Sequence, residues 1–138
     1  INPARGEDAK RDADKLQGTW EAAEGVSNGK AIPKDLVKGF KVVFSGEKMS
    51  IFPVDGDGKQ AKEHTFKLDP GKKPKAMDAT RLDGASKGKM AKAIYELDGD
   101  TLKLCLPSRL DLDHERPTEF AAPEKSRLVL LTLKRVKK

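Results

Sequence analysis

Residues 93–106 read AIYELDGDTLKLCL, two alternating runs about a central Asp98-Gly99-Asp100. Ala93, Tyr95 and Leu97 share one face of the first run, and Leu102, Leu104 and Leu106 share one face of the second. A period of two is what a half-buried strand shows. Asp-Gly between two such runs signals a tight hairpin, because Gly takes positive φ at no steric cost. The same grammar continues outward. Turn signals recur at Asn28-Gly29, Ser45-Gly46-Glu47, Asp55-Gly56-Asp57-Gly58, Asp69-Pro70-Gly71 and Asp83-Gly84, with short alternating runs between them. The pattern predicts strands over 18–24, 40–45, 48–54, 61–68, 75–82, 90–97, 101–106 and 127–136.

Each strand then has an inner face. It carries Gly18, Trp20 and Ala22 in the first, Phe40, Val42 and Phe44 in the second, and His64, Phe66 and Leu68 in the fourth. Ala91 joins Ala93, Tyr95 and Leu97 in the sixth, and Val129, Leu131, Leu133 and Arg135 follow one another in the last. About eight sequential antiparallel strands bury these faces best by closing the sheet on itself, which also removes its edges. The fold class expected is therefore all-β, an eight-stranded antiparallel barrel spanning 17–138. Residues 1–16 form a separate N-terminal helical segment. Within it, 4–16 holds no β-branched residue, and Ala9, Ala13 and Leu16 make a thin apolar stripe. The stretch 33–39 starts with Pro and ends at Gly, which predicts one or two helical turns. The long segment 107–126 carries Pro107, Pro117 and Pro123, with room for a brief edge strand at Thr118–Phe120.

Composition narrows the function. The chain has 138 residues, with 28 Lys+Arg against 22 Asp+Glu and a formal net charge of +6. Nucleic-acid binding needs basic residues clustered on one face and interleaved with aromatics. Here acids sit among the bases, as in Lys10, Arg11, Asp12, Asp14 and Lys15. The denser groups, Lys72, Lys73, Lys75 and Lys134, Arg135, Lys137, Lys138, have no adjacent stacking aromatic. A solvated mixed-charge surface and no specific nucleic-acid partner follow. No apolar run approaches the roughly 18 residues of a membrane-spanning helix, which argues against an integral membrane protein. The single cysteine, Cys105, excludes an intramolecular disulfide framework.

Candidate chemistry is sparse. Asp98 and Asp100 provide too few convergent oxygens for calcium. The Asp55–Gly58 stretch fails as a calcium loop because Lys59 and Phe66 stand where further acids are required. Asp111, Asp113, His114 and Glu115 form the one cluster of His with carboxylates, but immediate neighbours rarely converge on one ion. No metal and no cofactor are expected. No serine lies in a Gly-x-Ser-x-Gly setting. Cys105 shares a strand face with Thr101 and Lys103, opposite the leucines. It reads as a small residue packed beneath a covering segment, with the N-terminal helix as the candidate cover. Lys72, Lys73 and Lys75 read as lysines whose stems lie along a rigid turn. Arg116, three residues before Glu119, either pins the long segment through an ion pair or lines the barrel mouth.

Several stretches carry a family resemblance: LQGTWE at 16–21 with its Gly-x-Trp, DPGKKPKAMD at 69–78, AIYELDGDTLKLCL at 93–106, RPTEF at 116–120 and LVLLTLKR at 128–135. In this order they resemble the uncharacterised lipocalin-like domain family abundant in Planctomycetes, over roughly residues 14–136. The resemblance implies a calycin-type barrel in an extracytoplasmic, secreted or periplasmic protein, and it implies no reaction. It also implies that Trp20 sits at the closed end with the basic Arg135 of the last strand across its ring. Ala93 and His64 depart from the family pattern, where Gly is usual, and add side chain beside the cavity. The function expected is non-catalytic: a binding module for a small apolar ligand in a narrow pocket lined by Phe44, Phe66, Ala91, Ala93, Tyr95 and Leu104, with Arg116 adding polarity. The alternative is a filled barrel that meets a protein or envelope partner through its basic surface. An enzyme is the weakest reading, because no catalytic constellation is visible.

Overall fold

The computed structural model describes residues 3–37, 39–52, 62–82, 87–107 and 115–136. Helix α1 (Pro3–Leu16) opens the chain, with a proline at its first position, where the missing N–H costs nothing. Strand β1 (Gly18–Ser27) follows after a single residue. Gly18 makes this abrupt change possible, since its φ of +119° is one that residues with a Cβ rarely adopt. A two-residue strand β2 (Lys30–Ala31) folds back on β1, and the single-turn helix α2 (Lys34–Val37) lies within the expected 33–39 stretch.

Strands β3 (Lys41–Ser45), β4 (Lys48–Phe52), β5 (Lys62–Asp69), β6 (Lys75–Arg81), β7 (Met90–Asp98), β8 (Thr101–Pro107) and β9 (Leu128–Arg135) continue the chain. Each pairs antiparallel with the next, β1 pairs with β3, and β9 returns to β1. The result is a closed eight-stranded antiparallel barrel with a short N-terminal helix, as the alternation predicts. The register places Trp20 opposite both Val42 and Arg135, Met77 opposite Ala93, and Tyr95 opposite Leu104.

The first strand runs three residues past its expected end. A bulge between Ala22 and Glu24 leaves Ala23 and Glu24 both exposed and restores the inward parity at Gly25, opposite Leu131. That break in alternation is what made the strand look finished at 24. Gly25 also gives room for its neighbours: a Cβ there would lie 2.9 Å from Ile32 Cδ1 and 3.2 Å from Leu131 Cδ2.

The inner faces form one apolar core, which includes Trp20, Val42, Phe44, Phe66, Ala91, Ala93, Tyr95, Leu102, Leu104, Leu131 and Leu133. A smaller core lies on the opposite side of the sheet. Ile94, Cys105 and Leu128 on the outer faces of β7, β8 and β9 pack with Ala122, and Val26, Phe120 and Leu130 border them. The segment 115–127 is the cover. It crosses the barrel wall and is tied at its far end to the β1–β2 turn, where Gly29 N–H donates to Ala122 O and Lys125 N–H donates to the Asn28 side chain.

Two expectations are corrected here. Thr118–Phe120 is a series of bends and not an edge strand, because Phe120 turns onto the outer core. The cover over Cys105 is this strap and not the N-terminal helix: the thiol donates to Ala121 O at 3.3 Å.

Candidate functional site

The ligand-lining residues expected from the sequence, Phe44, Phe66, Ala91, Ala93, Tyr95 and Leu104, are all buried, but they do not share one pocket: Ala91, Ala93 and Leu104 border a very small void, and Phe66 borders an open groove beside α1. Phe44 and Phe66 meet edge to face, with ring centroids 5.1 Å apart, a favoured aromatic geometry. Ala91, Ala93 and Leu104 line an interior void with Phe40, Met49, Met77 and others, and it measures about 10 Å³. That is the volume of about one water-sized probe. Beside Ala91 and Ala93 the interior is filled by side chains.

The polar groups assigned to the pocket are engaged elsewhere. Arg116 lies on the outer wall, paired with the Asp78 carboxylate. Asp78 has outward parity on β6, between inward Met77 and Ala79. The Arg116 guanidinium also donates to Ala93 O at 2.9 Å and to Met77 O at 3.3 Å. Arg116 therefore fastens the start of the strap to β6 and β7. It pins the segment through Asp78 and not Glu119, and its guanidinium lies on the outer wall and not at the mouth.

Tyr95 points to the barrel end where the β3–β4, β5–β6 and β7–β8 turns gather with the start of β1 and the end of β9. Its hydroxyl donates to Asp12 Oδ2 at 2.6 Å, and Lys75 Nζ donates to the same oxygen at 3.0 Å. Lys75 also lies 6.0 Å from the centre of the Tyr95 ring. Burial, reinforced by the Asp12 carboxylate, holds the Tyr95 phenol well above its ordinary range. Asp12 is only 6% exposed. In the sequence Asp12 is one member of a mixed-charge run, and Lys75 belongs to a lysine-rich turn. Nothing local marks either one, since the pairing spans 63 residues of chain. The available signal was position: Asp12 stands four residues before Leu16, on the edge of the helix that carries the apolar stripe.

The Trp20–Arg135 contact that the resemblance implies, and that strand parity allows, is present, with the guanidinium carbon 4.3 Å from the ring centre. Its surroundings give it a wider part to play. Arg135 donates to the carbonyls of Lys15 and Gln17, and its Nε donates to Asp100. The Trp20 indole N–H donates to Leu16 O at 2.8 Å. Together these groups satisfy carbonyls at the C-terminus of α1, where a cation is favoured by the helix dipole. Gln17 adds a two-way bond to Gly46, donating to its carbonyl and accepting from its N–H. Helix α1 is thus seated across this end of the barrel.

Burial pushes the Cys105 thiol up, which disfavours the reactive thiolate. Among the described residues no group of three His, Cys, Asp or Glu side chains is placed to hold a metal ion. Asp111, Asp113 and His114, and the Asp55–Gly58 and Asp83-Gly84 turns, lie outside the described residues. The outer wall mixes its charges: Lys67 faces Asp78, which faces Lys92, while Lys103 faces Glu96, and Glu21 faces both Lys41 and Lys134. Among the described residues no helix is long and apolar enough to cross a membrane. No family model, curated protein or solved structure matches the chain.

Proposed function

We propose that the chain is a non-catalytic binding module, a lipocalin-like barrel whose interior is scaffold and whose surface meets a protein partner. One observation carries this reading: the void beside Ala91, Ala93 and Leu104 is about 10 Å³, whereas a pocket for a small organic ligand has roughly 300–1,000 Å³. The larger space beside α1 is an open groove. The side chains that would greet a guest are already satisfied within the fold, Tyr95 by Asp12 and Arg116 by Asp78. The family resemblance supports an extracytoplasmic setting for this module.

Titration with a fluorescent fatty-acid analogue tests the reading against an apolar-ligand carrier. The wild type and Ala93→Phe are both expected to show only weak, unsaturable association. Tight one-to-one binding by the wild type, abolished in Ala93→Phe, would establish a carrier and overturn the proposal.

A further inference from the structure

The barrel end beneath α1 presents a set of donors, each aimed at the helix. Tyr95 Oη and Lys75 Nζ converge on the Asp12 carboxylate. One turn later, the Trp20 indole and the Arg135 guanidinium take the carbonyls of Lys15, Leu16 and Gln17. Among the described side chains of α1 only Asp12 and Leu16 are buried. The barrel therefore reads a short pattern, a carboxylate four residues before a leucine in the last turn of a helix. The charges are complementary: cations on the barrel face a carboxylate and the negative end of a helix dipole.

The opposite flank of α1 is not closed. Ala9, Lys10, Ala13 and Asp14 border an open groove of about 600 Å³, whose far wall includes Phe66 and Leu68. On this flank the attachment is lighter: Ala13 packs against the core, and Gln17 just beyond the helix bonds to Gly46. An isolated helix of this length is marginal in water, so its docking depends on the barrel contacts of Asp12 and Leu16 together with the bonds from Trp20, Arg135 and Gln17 at its C-terminal end.

We propose that this end of the barrel is a receptor for the C-terminal turn of a helix that carries one carboxylate a turn before a leucine, occupied in cis by α1. A partner helix ending in the same carboxylate–leucine pattern takes the place of α1. The proposal rests on the surface-binding reading above and identifies the surface.

The test uses the full chain carrying Asp12→Ala and Leu16→Ala, and a fluorescein-labelled peptide of residues 3–17 with blocked termini. Amide hydrogen exchange follows α1, and Trp20 emission follows the seat beneath it. The expected result is that α1 exchanges freely in the double variant and that the peptide binds it saturably at one site. Binding to the wild type should be at least tenfold weaker, and so should binding of the peptide carrying Asp12→Asn. Continued protection of α1 in the double variant, or a released α1 with no peptide binding, would overturn the proposal.

Lys75→Met covers the case of a double variant that does not fold. It should raise α1 exchange and peptide binding together, and raising neither overturns the proposal. Release of α1 from the wild type by dodecanoate, without peptide binding, would also overturn it in favour of an anionic amphiphile. Peptide failure leaves the surface-binding reading intact elsewhere on the molecule. Carrier behaviour in the fatty-acid titration removes that reading itself, so the two failures are distinguishable.

Discussion

Tyr95 is the sole tyrosine and Trp20 the sole tryptophan, so each reports on its own surroundings without interference. The Tyr95 phenol is held well above its ordinary value by burial and by Asp12. The folded state thus keeps this proton to higher pH than the unfolded chain, whose tyrosine titrates near pH 10. The stability that the raised value contributes is fully present below about pH 10 and is lost as pH rises beyond it. Absorbance at 295 nm should show no tyrosinate until the protein unfolds in alkali. A reversible titration near pH 10 in the folded protein would contradict the buried hydrogen bond. At the same end, Arg135→Met keeps the aliphatic stem but removes the donors to Lys15, Gln17 and Asp100. Urea unfolding should show a loss of about 1–3 kcal/mol, accompanied by a change in Trp20 emission. Unchanged emission would mean that the guanidinium does not lie on the ring.

The strap between β8 and β9 is the element with the sharpest readout. It is fastened by Arg116 to Asp78 at one end and by Asn28 and Gly29 to residues 122–125 at the other. Between these ties it covers Cys105, which is 0% exposed. Arg116→Ala removes one tie without touching the barrel interior. Reaction of Cys105 with a thiol reagent should then accelerate by roughly tenfold, the factor that about 1.4 kcal/mol of easier local opening provides. An unchanged rate would show that the apolar contacts of Phe120 and Ala122 hold the strap without the ion pair. The junction between α1 and β1 is equally specific. Gly18→Ala places a Cβ on a residue with φ of +119°, which should cost about 1–3 kcal/mol on thermal or urea unfolding.

For the whole molecule, closure by the β1–β9 pairing and filling of the interior are one fact seen twice. A barrel of eight strands is narrow enough for side chains to occupy its lumen. Ala91 and Ala93 face this lumen, and the void beside them is about 10 Å³, too small for an added phenyl ring. Ala93→Phe should therefore destabilise the fold by about 1–3 kcal/mol or more, lowering the urea midpoint. A neutral effect would reveal more interior room than the structure holds, and would favour a carrier. Chelation with EDTA should leave the melting temperature unchanged. A drop of several degrees would instead identify the Asp111–Glu115 stretch as a metal site, since a metal bound to the native state adds stability by mass action.

The order and direction of the strands were legible in the sequence because they follow from local rules. A period of two sets each strand's inner face, and Asp-Gly and Asn-Gly turns set the hairpins, so both can be read within a window of ten or so residues. The Trp20–Arg135 contact was implied by the family resemblance, and the inward parity of both residues allowed it. The break at Ala23-Glu24 hid the end of β1, since a bulge repeats a face that the alternation does not predict. The fate of the charged side chains was not legible. Asp12 meets Lys75 and Tyr95 across 63 and 83 residues of chain, and Arg116 meets Asp78 across 38. Alternation says which side of the wall a residue faces, not which distant segment lies against it. That depends on where α1 and the strap come to rest, and their resting places are set by the volume and the donors that only the closed barrel presents.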